Sequence, residues 1–383
     1  MVIENKLFSE LTKSEMTDLF QAKSEMSTRY LSSQAAVRGV ARSFRAAPAS
    51  ASTHNVVGVG IDEKYVDGVS TGMMVLKFLV RTKIQPSALS RRDKLPESVD
   101  GIPTDVEEVG LIVPLAKDAA KAKAAAKSKG AAKAKRAARA QAAAIADPKT
   151  RLRPAQPGCS IGFREPNDQF IMAGTFGTLV KDSQGEIYIL SNNHVIAYEN
   201  GVEPDGTTRR VALSKGAPIF QPGLLDGGRI LTDKIAELTR WVDLRADRND
   251  NLVDGAIARV LKASLVSRDT LFIGPRTGKK AAAKDMIVHK FGRTTSYRAG
   301  TVSSIFFDVT VPYEVGDVMF TNQIAIRGLD GKRFSDSGDS GSAVLERSTN
   351  KVVGLLFAGA TNGSLTFANH IADVLKQLKV KLL

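Results

Sequence analysis

From residue 157 to the end, the chain is cut into short apolar runs punctuated by glycine: AGTFGTLV, IYILSNNHV, APIFQPG, VDGAIARV, MIVHKFG, GTVSSIFF, SGSAVLE and VVGLLFAG. Many short strand-forming runs with frequent turn signals predict a mainly β region, a barrel or a sandwich. The last run, HIADVLKQLKV, differs in its period. Its apolar residues Ile371, Val374, Leu375 and Leu378 recur at helical spacing, so a terminal helix is expected to cap the β region.

The remainder of the 383 residues leaves room for one or two further units. Residues 1–51 read as a helical segment, with the helix expected over 5–46. Leu7, Phe8, Leu11, Met16, Leu19 and Phe20 recur at helix-like spacing, and Thr12 or Ser14 is placed to cap a turn. APASAST breaks that pattern. A small α+β domain follows over 52–115, with strands expected at NVVGVGID (55–62), MMVLKFLVRT (73–82) and IPTDVEEVG (102–110). Residues 116–156 form an Ala/Lys-rich linker with no apolar face to bury.

The net charge of +14 raises the question of nucleic acid, and the answer depends on where the charge lies. Between Lys117 and Arg153 twelve Lys and Arg face two Asp, so +10 of the +14 sits in one low-complexity segment. Weak, sequence-independent contact with nucleic acid through 117–153 is one reading of that segment. A solvated tether is the favoured one, because no aromatic interleaves with the cations to stack on bases. No run nears the roughly 18 apolar residues that span a bilayer, and the N-terminus carries Glu4, Lys6 and Glu10 where a secretion signal would be apolar, so no membrane association is expected. Cys159 is the single cysteine, which excludes an internal disulfide and fits a reducing, cytoplasmic setting. Four scattered histidines suggest no metal cluster, and DRNDNLVD lacks the central Gly and distal Glu of a calcium loop. No cofactor or metal is expected.

Three segments of the β region carry chemistry: SNNHV with His194, NLVDGAIA with Asp254, and GDSGSAV with Ser340. A serine hydroxyl is a poor nucleophile at neutral pH. It needs an imidazole to take its proton and a carboxylate to hold the imidazole's tautomer. Gly338 and Gly341 permit the tight turn that exposes Ser340, and the amides of Gly338 and Ser340 can converge on the oxyanion of a tetrahedral intermediate. Asp226, Asp243, Asp247 and Asp250 compete with Asp254 for the carboxylate role. Arg293, Thr294 and Thr295 read as turn and barrel-closure residues.

These segments resemble a chymotrypsin-fold serine peptidase in the chain order His, Asp, Ser, in GDSG around the nucleophile and in the closing helix. More narrowly, GTFGTLV, LSNNHVIA, QPG followed by DGG at 221–228, NLVDGAIA, KFGRTTSYRAGTV and GDSGSAVL resemble, in order, the trypsin-like peptidases related to the plant narrow-leaf protein and its bacterial homologues. The resemblance covers roughly residues 157–383 and, less specifically, the small domain beginning HNVVGVGI. It implies a double β-barrel with the active site between barrels. His194 would be the general base and acid, Asp254 its orienting carboxylate, Ser340 the nucleophile and an oxyanion donor, and Gly338 the other donor. Secreted relatives pair a freed N-terminal amine with the Asp beside the nucleophile, here Asp339. PGCSIGF offers no such terminus, so Asp339 must find another partner or leave the oxyanion loop loose. Phe334, six residues before the nucleophile, together with Phe357 and Gly359, marks the expected substrate pocket. An aromatic at 334 predicts cleavage after small or apolar residues rather than after Lys or Arg.

The leading expectation is therefore a serine endopeptidase acting on protein or peptide substrates. The alternative is a catalytically silent peptidase-fold scaffold whose basic linker binds nucleic acid or an acidic partner. The apolar residues of the N-terminal helices need a partner, which is either their own domain or a second copy in a homo-oligomer.

Overall fold

The computed structural model describes residues 10–31, 55–66, 69–91, 93–115, 117–118, 147–165 and 172–383. The chain is mainly β, as its pattern of short apolar runs predicts. One helix spans Lys13–Tyr30, opened by a capping box in which Thr12 and Glu15 bond reciprocally. The rest of the stretch expected to be helical, on either side of residues 10–31, lies outside the described residues. The helix buries Leu19, Ala22, Met26 and Tyr30 against Val59, Ile61, Leu76 and Phe78, so it packs on the strands of its own chain. Lys23, on the same face, is buried against Asp308, 2.7 Å from its carboxylate.

Strands Val56–Val66 and Val69–Val80 form an antiparallel pair, and Ile102–Glu108 runs parallel to the second of them. These are the three strands expected in the small domain. They do not form a sheet of their own: Gly58 and Val59 pair with Val309 and Asp308 of the long strand Ser296–Tyr313, which belongs to the C-terminal region. Gly58 and Gly60 permit this approach, since a Cβ on Gly60 would collide with the ring of Phe307.

The C-terminal region is built from two sheet systems. In the second, six strands close on themselves in the order Ile287–Gly292, Ala343–Glu346, Val352–Ala360, Thr366–His370, Gly316–Gly328 and Ser296–Tyr313, the last pairing back to the first. Register shifts along the long hairpin make this ring uneven. The first sheet is open, running from Lys381–Leu382 through Thr178–Lys181, Ile187–Ser191, Ala256–Val260, Lys234–Trp241, Pro218–Phe220 and Ser160–Phe163 to Met172–Thr175 and Lys117–Asp118. The predicted terminal helix is present at Ile371–Gln377. Its Ile371, Val374 and Leu375, with Leu378, pack among Val180, Leu190 and Ile257 of the first sheet and Leu345, Val352 and Leu355 of the ring, locking the two together.

Most of the Ala/Lys-rich stretch, 119–146, and with it the nucleic-acid reading, falls outside the described residues. Its far end is folded. Arg151 and Arg153 bind Asp233, 2.7 and 3.5 Å away, and Ala155 is buried in the first core, so these two cations neutralise a carboxylate of the fold itself.

Candidate active site

His194 lies in the one-turn helix Asn193–Ile196, directly after strand Ile187–Ser191. Asp254 lies two residues before strand Ala256–Val260. The pairing of Ser191 with Ala256 and Leu190 with Ile257 brings the ends carrying both side chains to the same place. The imidazole Nδ1 of His194 bonds to Oδ2 of Asp254, and the backbone amide of His194 donates to Oδ1 at 3.2 Å. Nδ1 is thereby committed to the carboxylate, which leaves Nε2 as the basic nitrogen of the neutral ring. Three further groups fix the acid. Tyr313 donates its hydroxyl to Oδ2 at 2.8 Å, the amide of Asp254 donates to Asn369 at 3.0 Å, and Asn192 donates to the Asp254 carbonyl at 2.7 Å. Burial, followed by the charge of Asp254, pushes the Tyr313 phenol well above its ordinary range, so it stays a donor.

Ser340 sits in a turn before strand Ala343–Glu346, but the turn does not expose it as expected, since the residue is fully buried. Gly338 and Gly341 have φ of +102° and +89°. A side chain at 338 would meet Thr294 and Arg293, and one at 341 would meet Ser191 and the Thr175 carbonyl. Thr175, at the end of strand Met172–Thr175, clamps the turn: its hydroxyl donates to the Gly338 carbonyl at 2.9 Å and its amide to the Ser340 carbonyl at 2.8 Å. The amide of Gly338 donates to the carbonyl of Leu115. His194, Asp254 and Ser340 are all fully buried.

Gly174 lies between Val195, the residue after His194, and the Ser340 turn. A Cβ on Gly174 would lie 2.6 Å from the Val195 side chain and 3.0 Å from the Ser340 carbonyl. In this structure the Ser340 hydroxyl donates to the Phe357 carbonyl at 3.0 Å, while Nε2 of His194 is buried with no hydrogen-bond partner among the described residues. A buried ring nitrogen without a partner is costly to leave so.

Of the two outcomes left open for Asp339, a new partner or a loose loop, the structure has the partner. Lys290, from strand Ile287–Gly292, places Nζ 2.9 Å from Oδ2, with both side chains fully buried. Thr295 adds a hydroxyl bond at 2.6 Å, and the amides of Thr294 and Thr295 donate to Oδ1 at 2.9 and 3.1 Å. Burial alone would raise the Asp339 carboxyl, but the Lys290 charge and the Thr295 bond hold it below the usual carboxylate range. Arg293 and the two threonines are thus more than turn residues. Arg293 forms a bidentate pair with Asp226, both bonds 2.6 Å, and its guanidinium lies against Gly338.

The competing carboxylates are committed elsewhere. Asp226 serves Arg293 and Ser160, while Asp243, Asp247 and Asp250 pair with Arg209, Arg245 and Arg248. Of the pocket residues, Phe334 is buried in one apolar cluster with Leu115, Val288 and Val344. The bare Cα of Gly359 leaves room for the Leu115 side chain, whose Cδ1 would lie 3.0 Å from a Cβ there. Phe357 contributes through its carbonyl, because its ring belongs to a different cluster, 4.8 Å from the ring of Phe320. Asp336, which lies near Phe334 in sequence, is exposed and caps the amide of Ser337 at 2.8 Å.

No protein-family model matches the chain, and no curated protein matches it in sequence. Among solved structures it is similar to serine proteases. Thermobifida fusca protease A is 18% identical, with 59% of this chain and 97% of that one covered at a TM-score of 0.39. A Nocardiopsis protease is 15% identical, with 60% and 99% covered at 0.40. A glutamic acid-specific serine protease is 17% identical, with 60% and 100% covered at 0.40.

Proposed function

We propose that this protein is a serine endopeptidase. Ser340 is the nucleophile, His194 the general base and then acid, Asp254 the carboxylate that holds the imidazole, and the amides of Gly338 and Ser340 the oxyanion donors. The observation that carries the reading is the His194–Asp254 bond, which leaves a buried, partnerless Nε2 on a histidine whose neighbour Val195 packs with the Ser340 turn about Gly174. In acylation, Ser340 Oγ attacks the scissile carbonyl as its proton passes to Nε2, and the amine leaves with that proton. Water, deprotonated by His194, then releases the acyl group.

Asp339 bound to Lys290 is a ready-made brace for the oxyanion turn, so this site needs no freed N-terminal amine to form. The cluster around Phe334 supports a preference for apolar residues on the acyl side of the cleaved bond, against Lys and Arg. The narrower kinship, with the trypsin-like relatives of the narrow-leaf protein, rests on the six ordered segments. Those segments supply His194, Asp254, Ser340 and the Lys290–Thr295 stretch. A cytoplasmic setting belongs to the same reading.

One observation favours a silent or regulated form: the Ser340 hydroxyl is turned to Phe357. The same experiment separates the two readings. Hydrolysis of an unstructured protein such as casein should fall at least about 10⁴-fold in Ser340→Ala. Hydrolysis that persists in the variant would sink the proposal, and absence of hydrolysis in the wild type would favour the silent form.

A further inference from the structure

We infer that this chain is its own substrate and hydrolyses the peptide bond that follows Leu115. The inference rests on the peptidase reading and adds the substrate to it. Residues 108–115 run along the wall of the ring beside the nucleophile. Strand Ile112–Pro114 pairs antiparallel with Val352–Ala360, with Val113 opposite Gly359. On one side of this pairing, Leu111 and Thr361 exchange bonds of 2.8 and 3.0 Å, and Asn362 donates to the Glu108 carbonyl at 2.8 Å. On the other side, the amide of Leu115 donates to the Phe357 carbonyl at 3.2 Å. An extended segment added to a sheet edge is how main-chain bonds hold a peptide in register for cleavage.

The register ends at the reacting atoms. The carbonyl of Leu115 accepts from the amide of Gly338, the donor assigned above to the oxyanion. The Leu115 side chain is buried in the Phe334 cluster over Gly359, the pocket that calls for an apolar residue. Past the bond, Lys117–Asp118 pairs antiparallel with Met172–Thr175, Lys117 opposite Ala173, on the strand whose Thr175 clamps the Ser340 turn. Backbone pairing thus holds the chain to the ring up to Leu115 and to the first sheet from Lys117, on either side of the proposed bond.

In the reaction, Ser340 Oγ forms a bond to the Leu115 carbonyl carbon and gives its proton to His194 Nε2. The C–N bond then breaks, and the departing amine takes that proton. One water hydrolyses the ester, leaving a carboxylate on Leu115, a new N-terminus on residue 116 and a regenerated Ser340.

The full-length protein, purified and incubated, is followed by intact mass and N-terminal sequencing. A fluorophosphonate and a leucyl reporter peptide are tested on the same sample. Two fragments divided after Leu115 are expected, present at purification or accumulating at a rate independent of protein concentration, with Ser340→Ala remaining whole. A wild-type chain that stays whole while Ser340 is labelled and the reporter is hydrolysed would overturn self-cleavage and leave the peptidase reading standing. Cleavage confined to other positions would overturn it equally, and a chain neither cut, labelled nor active would overturn both.

Discussion

At the scale of single residues, the buried Lys290–Asp339 pair most constrains the site. A carboxylate taken from water costs several kcal/mol unless it is paired and hydrogen-bonded, and Asp339 is surrounded by Lys290, Thr294, Thr295 and the amide of Asp336. Removing the cation alone strands the charge under the oxyanion turn. Lys290→Met is therefore expected to destabilise the protein by about 3–5 kcal/mol, and adding Asp339→Asn to recover most of that loss. Denaturant titration of the single and double variants reads both numbers. A single variant costing less than about 1 kcal/mol would contradict the account. The pair was half legible in the sequence: Asp339 needed a partner, and a lysine inside the apolar run IVHKFG is a cation bound for burial. Tyr313 gave no such sign, since a tyrosine ending an apolar strand reads as ordinary core until the fold carries its hydroxyl to Asp254.

At the scale of elements, the site depends on loops from the two sheets being held against each other. Glu199, three residues past the His194 helix, accepts from the amide of Glu314 at the tip of the long hairpin of the ring. Burial raises the Glu199 carboxyl from 4.5 to about 7, although the bond from the Glu314 amide and the charge of Arg210 oppose it. The folded protein thus keeps a proton that the unfolded chain gives up. The stabilisation is full below pH 4.5 and is lost as pH rises through 7, on the order of 3 kcal/mol from the size of the shift. Stability is expected to fall between pH 5 and 8, and Glu199→Gln to remove about 2–3 kcal/mol of that fall. A decline of undiminished size in the variant would show that the contact between loop and hairpin is not its source. Asp62, pushed up to about 6 by burial although the charges of Lys77 and Arg327 oppose it, has the same sign and persists in the variant.

At the scale of the whole molecule, local periodicity revealed the element types and most of their positions. Thr12 as a cap, the three strands of the small domain and the terminal helix at Ile371–Gln377 all follow from local spacing. Pairing between distant segments did not follow. Gly58 beside Val309, or Val113 beside Gly359, joins strands about 250 residues apart, and no local pattern encodes such a register. For the same reason the substrate-like path of residues 108–115 was hidden. Its sequence reads as the edge of a small domain until the ring supplies a partner. Each member of the candidate triad carries its own short motif, and in the structure His194 bonds to Asp254 while the four competing carboxylates pair elsewhere.

The most direct test of the central claim, that His194 activates Ser340, is covalent. The folded protein is treated with a fluorophosphonate and its peptides are mapped by mass spectrometry. One adduct per chain is expected, on Ser340, slowed at least about 10³-fold in His194→Ala. No adduct on the folded protein, or an equal rate of labelling without the histidine, would contradict the account.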